Sequence, residues 1–215
     1  MSSRDKLNRN RKRANKRKLK ALFGIVVEGE TEEKYFNRFK GANVKVKVVH
    51  DRPDPESLSK QAEKKLVQEF KDRGEIRSGD QFWIISDKDQ YTADQLEVLF
   101  TWARRRSDRS LGFSVPQFEF WLLLHYENGN GVATQKDCMS RLKAADPRYQ
   151  KNNLSSVQFT EAQIKAAVKR AKRFQKLPST YSAFTHNGLD RAGFTSVHVL
   201  HARSEQTVTR GASTS

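Results

Sequence analysis

Apolar residues cluster in the first half of the chain as short runs. Phe23-Gly24-Ile25-Val26-Val27 and Phe82-Trp83-Ile84-Ile85 are almost unbroken. A run without polar alternation predicts a strand covered on both faces. Val44 to Val49 instead alternates Val with Lys, which predicts a strand with one wet face near a sheet edge. Leu111 to Val115 predicts a fourth strand, closed by Pro116. The stretches between follow helical spacing. Residues 31–40 carry Tyr35, Phe36 and Phe39 on one side, with Thr31 as the expected cap. Residues 56–72 align Leu58, Ala62, Leu66 and Phe70. A third helix begins at Thr92, carries Leu96, Leu99 and Phe100, and ends in Arg104-Arg105-Arg106. Residues 117–126 predict a very apolar helix opened by Pro116. Helical patterns follow from 134 onward, over the basic stretch 160–176, and near 195–204.

Strands that alternate with helices predict an α/β fold, a small parallel sheet flanked by helices in the Rossmann-like manner. The divisions expected are a basic disordered tail (1–20), an α/β core (21–126), a helical C-terminal part packed on that core (127–206) and a short disordered tail (207–215). Ligands of such sheets bind beyond the carboxyl ends of the strands.

Charge adds a statement about partners. The 215 residues carry a formal net charge of +16. A cationic surface concentrates polyanions, and nucleic acid is the usual one. Residues 1–20 hold ten basic residues against one acid. Within them Arg11, Lys12, Arg13, Lys16, Arg17 and Lys18 are candidate phosphate contacts, since each neutralised phosphate releases counterions. The bland reading is a solubilising tail. Arg104 and Arg105, with Lys169, Arg170 and Arg173 of the basic helix, are further candidates, or else a solvated face. A single cysteine, Cys138, rules out an internal disulfide. No apolar run approaches the ~20 residues of a membrane span. A soluble, cytoplasmic protein is expected.

The acids carry the chemistry. Glu28 directly follows one buried strand, and Asp87 and Asp89 follow another. If those strands are parallel neighbours, three carboxylates share one edge of the sheet. Like charges so placed need a cation. Oxygen ligands without His or Cys suit Mg²⁺ or Mn²⁺, which also binds substrate phosphate. Glu32 has two readings, an accessory acid of this site or a first-turn acid favoured by the helix dipole. Glu119 sits in a helix whose other faces are apolar, so it needs a partner. His125 reads as a hydrogen-bonded core histidine.

Val27-Glu28-Gly29-Glu30-Thr31-Glu32 resembles the opening motif of TOPRIM domains of the OLD-nuclease kind, and Asp87-Lys88-Asp89 resembles the Asp-x-Asp that ends their third strand. Phe118 to His125 and Thr195 to His198 resemble RloB-like proteins, a TOPRIM-containing group of restriction-associated and anti-phage loci. The resemblance implies a TOPRIM fold and a Mg²⁺-dependent nuclease acting on RNA, transfer RNA included, or on DNA, as a defence effector with a partner ATPase. It implies that Asp87 and Asp89 hold the metal, that Glu28 is the acid/base or metal-positioning group, and that Glu32 and Glu119 are accessory. Val115-Pro116-Gln117 departs from the Asn-Pro-x expected there, so the Asn side-chain amide that the resemblance implies is missing at that point. The rival reading is a non-catalytic, basic nucleic-acid-binding or regulatory subunit of a defence complex.

Overall fold

A computed structural model describes residues 22–39, 44–46, 54–68, 71, 76, 79–88, 91–154 and 157–203. The expected tails, with all six candidate basic residues from Arg11 to Lys18, lie outside these residues, as does Asp89.

The fold is α/β. Five strands form one sheet: β1 (Phe23–Val27), β2 (Val44–Val46), β3 (Gln81–Asp87), β4 (Arg109–Val115) and β5 (Phe194–Thr195), in the order β2-β1-β3-β4-β5. The first four are parallel, with Val27 opposite Ile85 and Asp87 opposite Ser114. β2 lies at an edge, as its Val/Lys alternation predicts. β5 was expected as part of a terminal helix. It is instead a two-residue strand antiparallel to the end of β4, followed by helical residues 198–203 (α8).

Alternation along β1 and β3 divides the core. Phe23, Ile25, Val27, Trp83 and Ile85 point to one face, and Val26, Phe82 and Ile84 to the other, all buried. The first face is covered by α1 (Glu30–Asn37), α4 (Glu119–Leu123), α5 (Gln135–Ala145), α6 (Glu161–Ala171) and α8. The second is covered by α2 (Pro55–Gln61), α3 (Ala93–Arg104) and α7 (Tyr181–His186). Helices on both faces leave no wet side, which is why these strands lack polar alternation. Gly112 of β4 is required by space: a Cβ there would stand 2.5 Å from Ile85 Cδ1.

Several helix boundaries differ from the sequence reading. Thr31 does not cap α1. Gly29 occupies the cap position, and the Thr31 hydroxyl accepts from Asn152 N at 3.0 Å. Thr92 caps α3 through a full capping box with Gln95. α2 turns π-helical over Ala62–Val67 while keeping Leu58, Ala62 and Leu66 buried. Pro116 does not open α4. It follows Val115 across a cis peptide bond, and the helix begins at Glu119. The basic helix ends at Ala171, so Lys172 and Arg173 lie in the turn beyond it. No described helix is long and apolar enough to cross a membrane.

Candidate functional site at the carboxyl edge of the sheet

The order β2-β1-β3 means that the chain leaves β1 in one direction and β3 in the other. The gap between these two strands is the topological switch point, where open α/β sheets bind ligands. Glu28 is the first residue beyond β1 and Asp87 the last of β3. The expected juxtaposition of these two strand ends is therefore present.

Both carboxylates are oriented by neutral donors. The Ser86 hydroxyl donates to Glu28 Oε1. The Phe118 N–H donates to Asp87 Oδ2 at 3.1 Å. The second bond explains why α4 starts late: Pro116 to Phe118 carry the chain off β4 and bring this N–H over the end of β3. Lys88, between the expected aspartates, turns aside. Its ammonium donates to the Asp190 carbonyl at 3.3 Å and lies 3.4 Å from Asp190 Oδ2. Beside it a crevice of about 300 Å³ opens, lined in part by Pro116, Thr134, Gln135 and Asp190.

Two more acids lie buried nearby. Glu119 accepts from the Tyr149 hydroxyl at 2.8 Å, the partner that its apolar surroundings demand. Glu32 folds back beneath the turn, where a Cβ on Gly29 would stand 2.8 Å from its Oε2. Burial pushes the Glu32 carboxyl up to about 7. A hydrogen bond from its own backbone N–H works against this, and the neighbouring Glu119 adds to it. Glu32 is thus more than a solvated first-turn acid.

The donor set is oxygen-only, which suits a hard cation. Among the described residues no three of His, Cys, Asp and Glu form a group that could hold a metal ion. Glu28 and Asp87 are two of the three oxygen ligands expected for such a cation, and the third, Asp89, falls outside the described residues.

The candidate nucleic-acid contacts are scattered. α3 connects two parallel strands, so its carboxyl end lies at their starts. Arg104 and Arg105 therefore stand at the amino edge of the sheet, opposite Glu28 and Asp87. Arg104 bonds Glu97 at 2.6 Å. Arg170 donates to Leu124 O at 2.7 Å, and Arg173 to Asn128 O, so both fasten turns. Lys169 is exposed.

Sequence reasoning missed Ser86, Tyr149 and Asn152. Ser86 could have been found, because it adjoins Asp87 on a strand paired with β1. Tyr149 and Asn152 approach from far along the chain and carry no local signal.

His125 is the core residue expected. Its Nε2 lies 3.2 Å from the Tyr35 hydroxyl, which also lies 3.1 Å from His201 Nε2. Burial pushes His125 down to about 3, with His201 adding to the effect, and burial pushes His201 down to about 4. Both histidines stay neutral in the fold while the unfolded chain protonates them below about 6.5. Stability is therefore complete above that pH and falls as pH drops toward 4. Glu32 acts oppositely: its raised pKa means that the folded state holds an extra proton between 4.5 and 7. From pH 6 to 5 these three groups leave the unfolded state one proton richer, a predicted loss of about 1.4 kcal/mol per unit. Removing Glu32 by Glu32→Gln should steepen the fall by about the same amount again. Urea denaturation of both proteins in EDTA checks this. Parallel pH profiles would mean that Glu32 is ionised in the fold.

A family model described as RloB-like protein matches residues 23–200. No curated protein and no solved structure matches the chain.

Proposed function

The chain belongs to the RloB-like protein family, and on that premise we propose that it is a metal-dependent nuclease with a TOPRIM-like site at the carboxyl edge of its sheet. The observation that carries the reading is the placement of Glu28 and Asp87 at the ends of adjacent parallel strands, at the switch point. The net charge of +16 supports a nucleic-acid substrate, RNA or DNA. A role as an anti-phage effector, with an ATPase partner, belongs to the same proposal.

In this reading Asp87 and Glu28, with Asp89, would hold Mg²⁺ or Mn²⁺. When bound, such a cation supplies Lewis-acid polarisation of the phosphodiester and offsets charge as the bond breaks. Glu28 orients the attacking water or takes its proton, and the Ser86 hydroxyl fixes which carboxylate oxygen faces the reaction. The Phe118 N–H fixes Asp87 in the same way. Glu119 and Glu32 form a buried acidic wall beside these groups, and the ionisation of Glu32 near neutral pH would tune the local charge.

The test is cleavage of mixed RNA and DNA by the full chain with Mg²⁺, with Mn²⁺ and with EDTA. Cleavage that requires the metal is expected, and the substrate consumed names the class. Tight nucleic-acid binding without cleavage under every metal condition, and with Mg²⁺ binding unaffected by Glu28→Gln, would replace this reading with that of a non-catalytic binding subunit.

A further inference from the structure

A second cavity lies at the other end of the sheet. It has a volume of about 540 Å³, within the range of about 300–1,000 Å³ usual for small-molecule sites. It opens beside the first half of β4, because β5 pairs with Ser114 and Val115 and, among the described residues, Arg109 to Leu111 have no strand neighbour on that side. Among the described residues five cations line it, Arg104, Arg106, Arg109, Lys176 and Arg203, and no Asp or Glu does. Trp83, Phe100, Leu177 and Val199 supply apolar wall.

The bland explanation is that basic residues favour helix carboxyl ends. That accounts for Arg104, at the end of α3. It does not account for Lys176, from the segment after α6, or for Arg203, from the final described residues. Acids do stand behind part of the cluster: Glu97 bonds Arg104, Asp108 bonds Arg106 and Glu63 bonds Arg109. Lys176 makes no ion pair among the described residues. Arg203 bonds Ser110 and Gln81 and lies 5.5 Å over the Trp83 ring. Arg109 is held at the wall, its side chain only 7% exposed, paired with Glu63 and lying 5.4 Å over the Trp102 ring. The strand edge adds a donor. Phe113 turns its N–H and C=O to Ser196, and Leu111 turns its C=O the same way, so the Leu111 N–H also faces away from β3.

We propose that this pocket binds a nucleoside phosphate: the cations lining it and the outward Leu111 N–H match a multiply charged anion, and the apolar walls match a flat ring. The site is distinct from the carboxylate edge and needs no residue of it, so it stands whether or not the chain is a nuclease. Its place at the far edge makes it a site for a small regulatory or carrier ligand rather than for the reacting bond.

Calorimetric titration of the full chain in EDTA with AMP, ATP, adenosine and inorganic phosphate tests the assignment. AMP or ATP should bind at one site per chain, tighter than adenosine and tighter than phosphate. Arg106→Gln with Lys176→Gln should weaken that binding at least roughly tenfold, because each removes a charge-assisted hydrogen bond. Both positions are exposed, so the fold should keep its melting temperature. Asp87→Asn should leave the binding unchanged. Three results would overturn the proposal: no nucleotide binding at millimolar concentration, nucleotide binding untouched by the double variant, or phosphate binding as tight as AMP. Binding of a short oligonucleotide alone, lost in the double variant, would also overturn it and make the pocket a strand contact.

Discussion

Replacing Asp87 with asparagine is expected to reduce metal-dependent cleavage roughly a hundredfold or more while leaving the fold in place. The substitution keeps shape and keeps an oxygen to accept from the Phe118 N–H, now at 3.1 Å from Asp87 Oδ2. What it removes is the negative charge that a cation requires. Glu28→Gln should behave alike, since the amide oxygen still accepts from Ser86. The double variant should lose little beyond the worse single one, because groups that act as a unit do not contribute additively. The measurement is the cleavage rate at saturating Mg²⁺ beside the urea midpoint of each variant. A full rate in Asp87→Asn with unchanged stability would move the chemistry away from this edge.

The largest expected effect on stability comes from a residue without a side chain. A Cβ on Gly193 would stand 2.3 Å and 2.4 Å from two ring atoms of Phe120, and one on Gly129 would stand 2.7 Å from the same ring. Phe120 is 0% exposed, so the ring has nowhere to swing. Gly193 is also pinned, its N–H donating to Val132 O at 2.7 Å. Gly193→Ala should therefore cost about 3 kcal/mol, the upper part of the overpacking range. For a chain of this size that corresponds to a drop of roughly 10 °C in melting temperature. The Phe120→Leu variant should relieve the clash: combined with Gly193→Ala, the loss should be smaller than the sum of the two single losses. Additive losses by thermal unfolding would show that the ring and the glycine do not touch.

How far these features could be read in advance depended on whether their cause is local. β1 and β3 were legible because strands covered on both faces must be apolar throughout, and the acids that end them were legible with them. Thr92 was legible because a capping box is closed within four residues. Thr31 looked like the same device, yet its hydroxyl is taken by Asn152, 121 residues away. β5 has two residues and exists only because β4 has a free edge to pair with. Glu119 announced that it needed a partner, but nothing near it in sequence named Tyr149. Arg104 to Arg106 were legible as a cluster, and topology alone decides that they lie at the far edge from the carboxylates.

The bond from Tyr35 to His201 spans 166 residues. A ribosome adding about 5–20 residues per second needs on the order of ten seconds or more to make that stretch. Until His201 is made, the first-face core lacks α8, and until Thr195 is made the edge of β4 lacks β5. The nascent chain must keep Tyr35, Phe36 and Trp121 from the wrong neighbours through that interval. Products that stop before residue 198 should therefore lack the ring contacts that His201 makes with Tyr35 and Trp121.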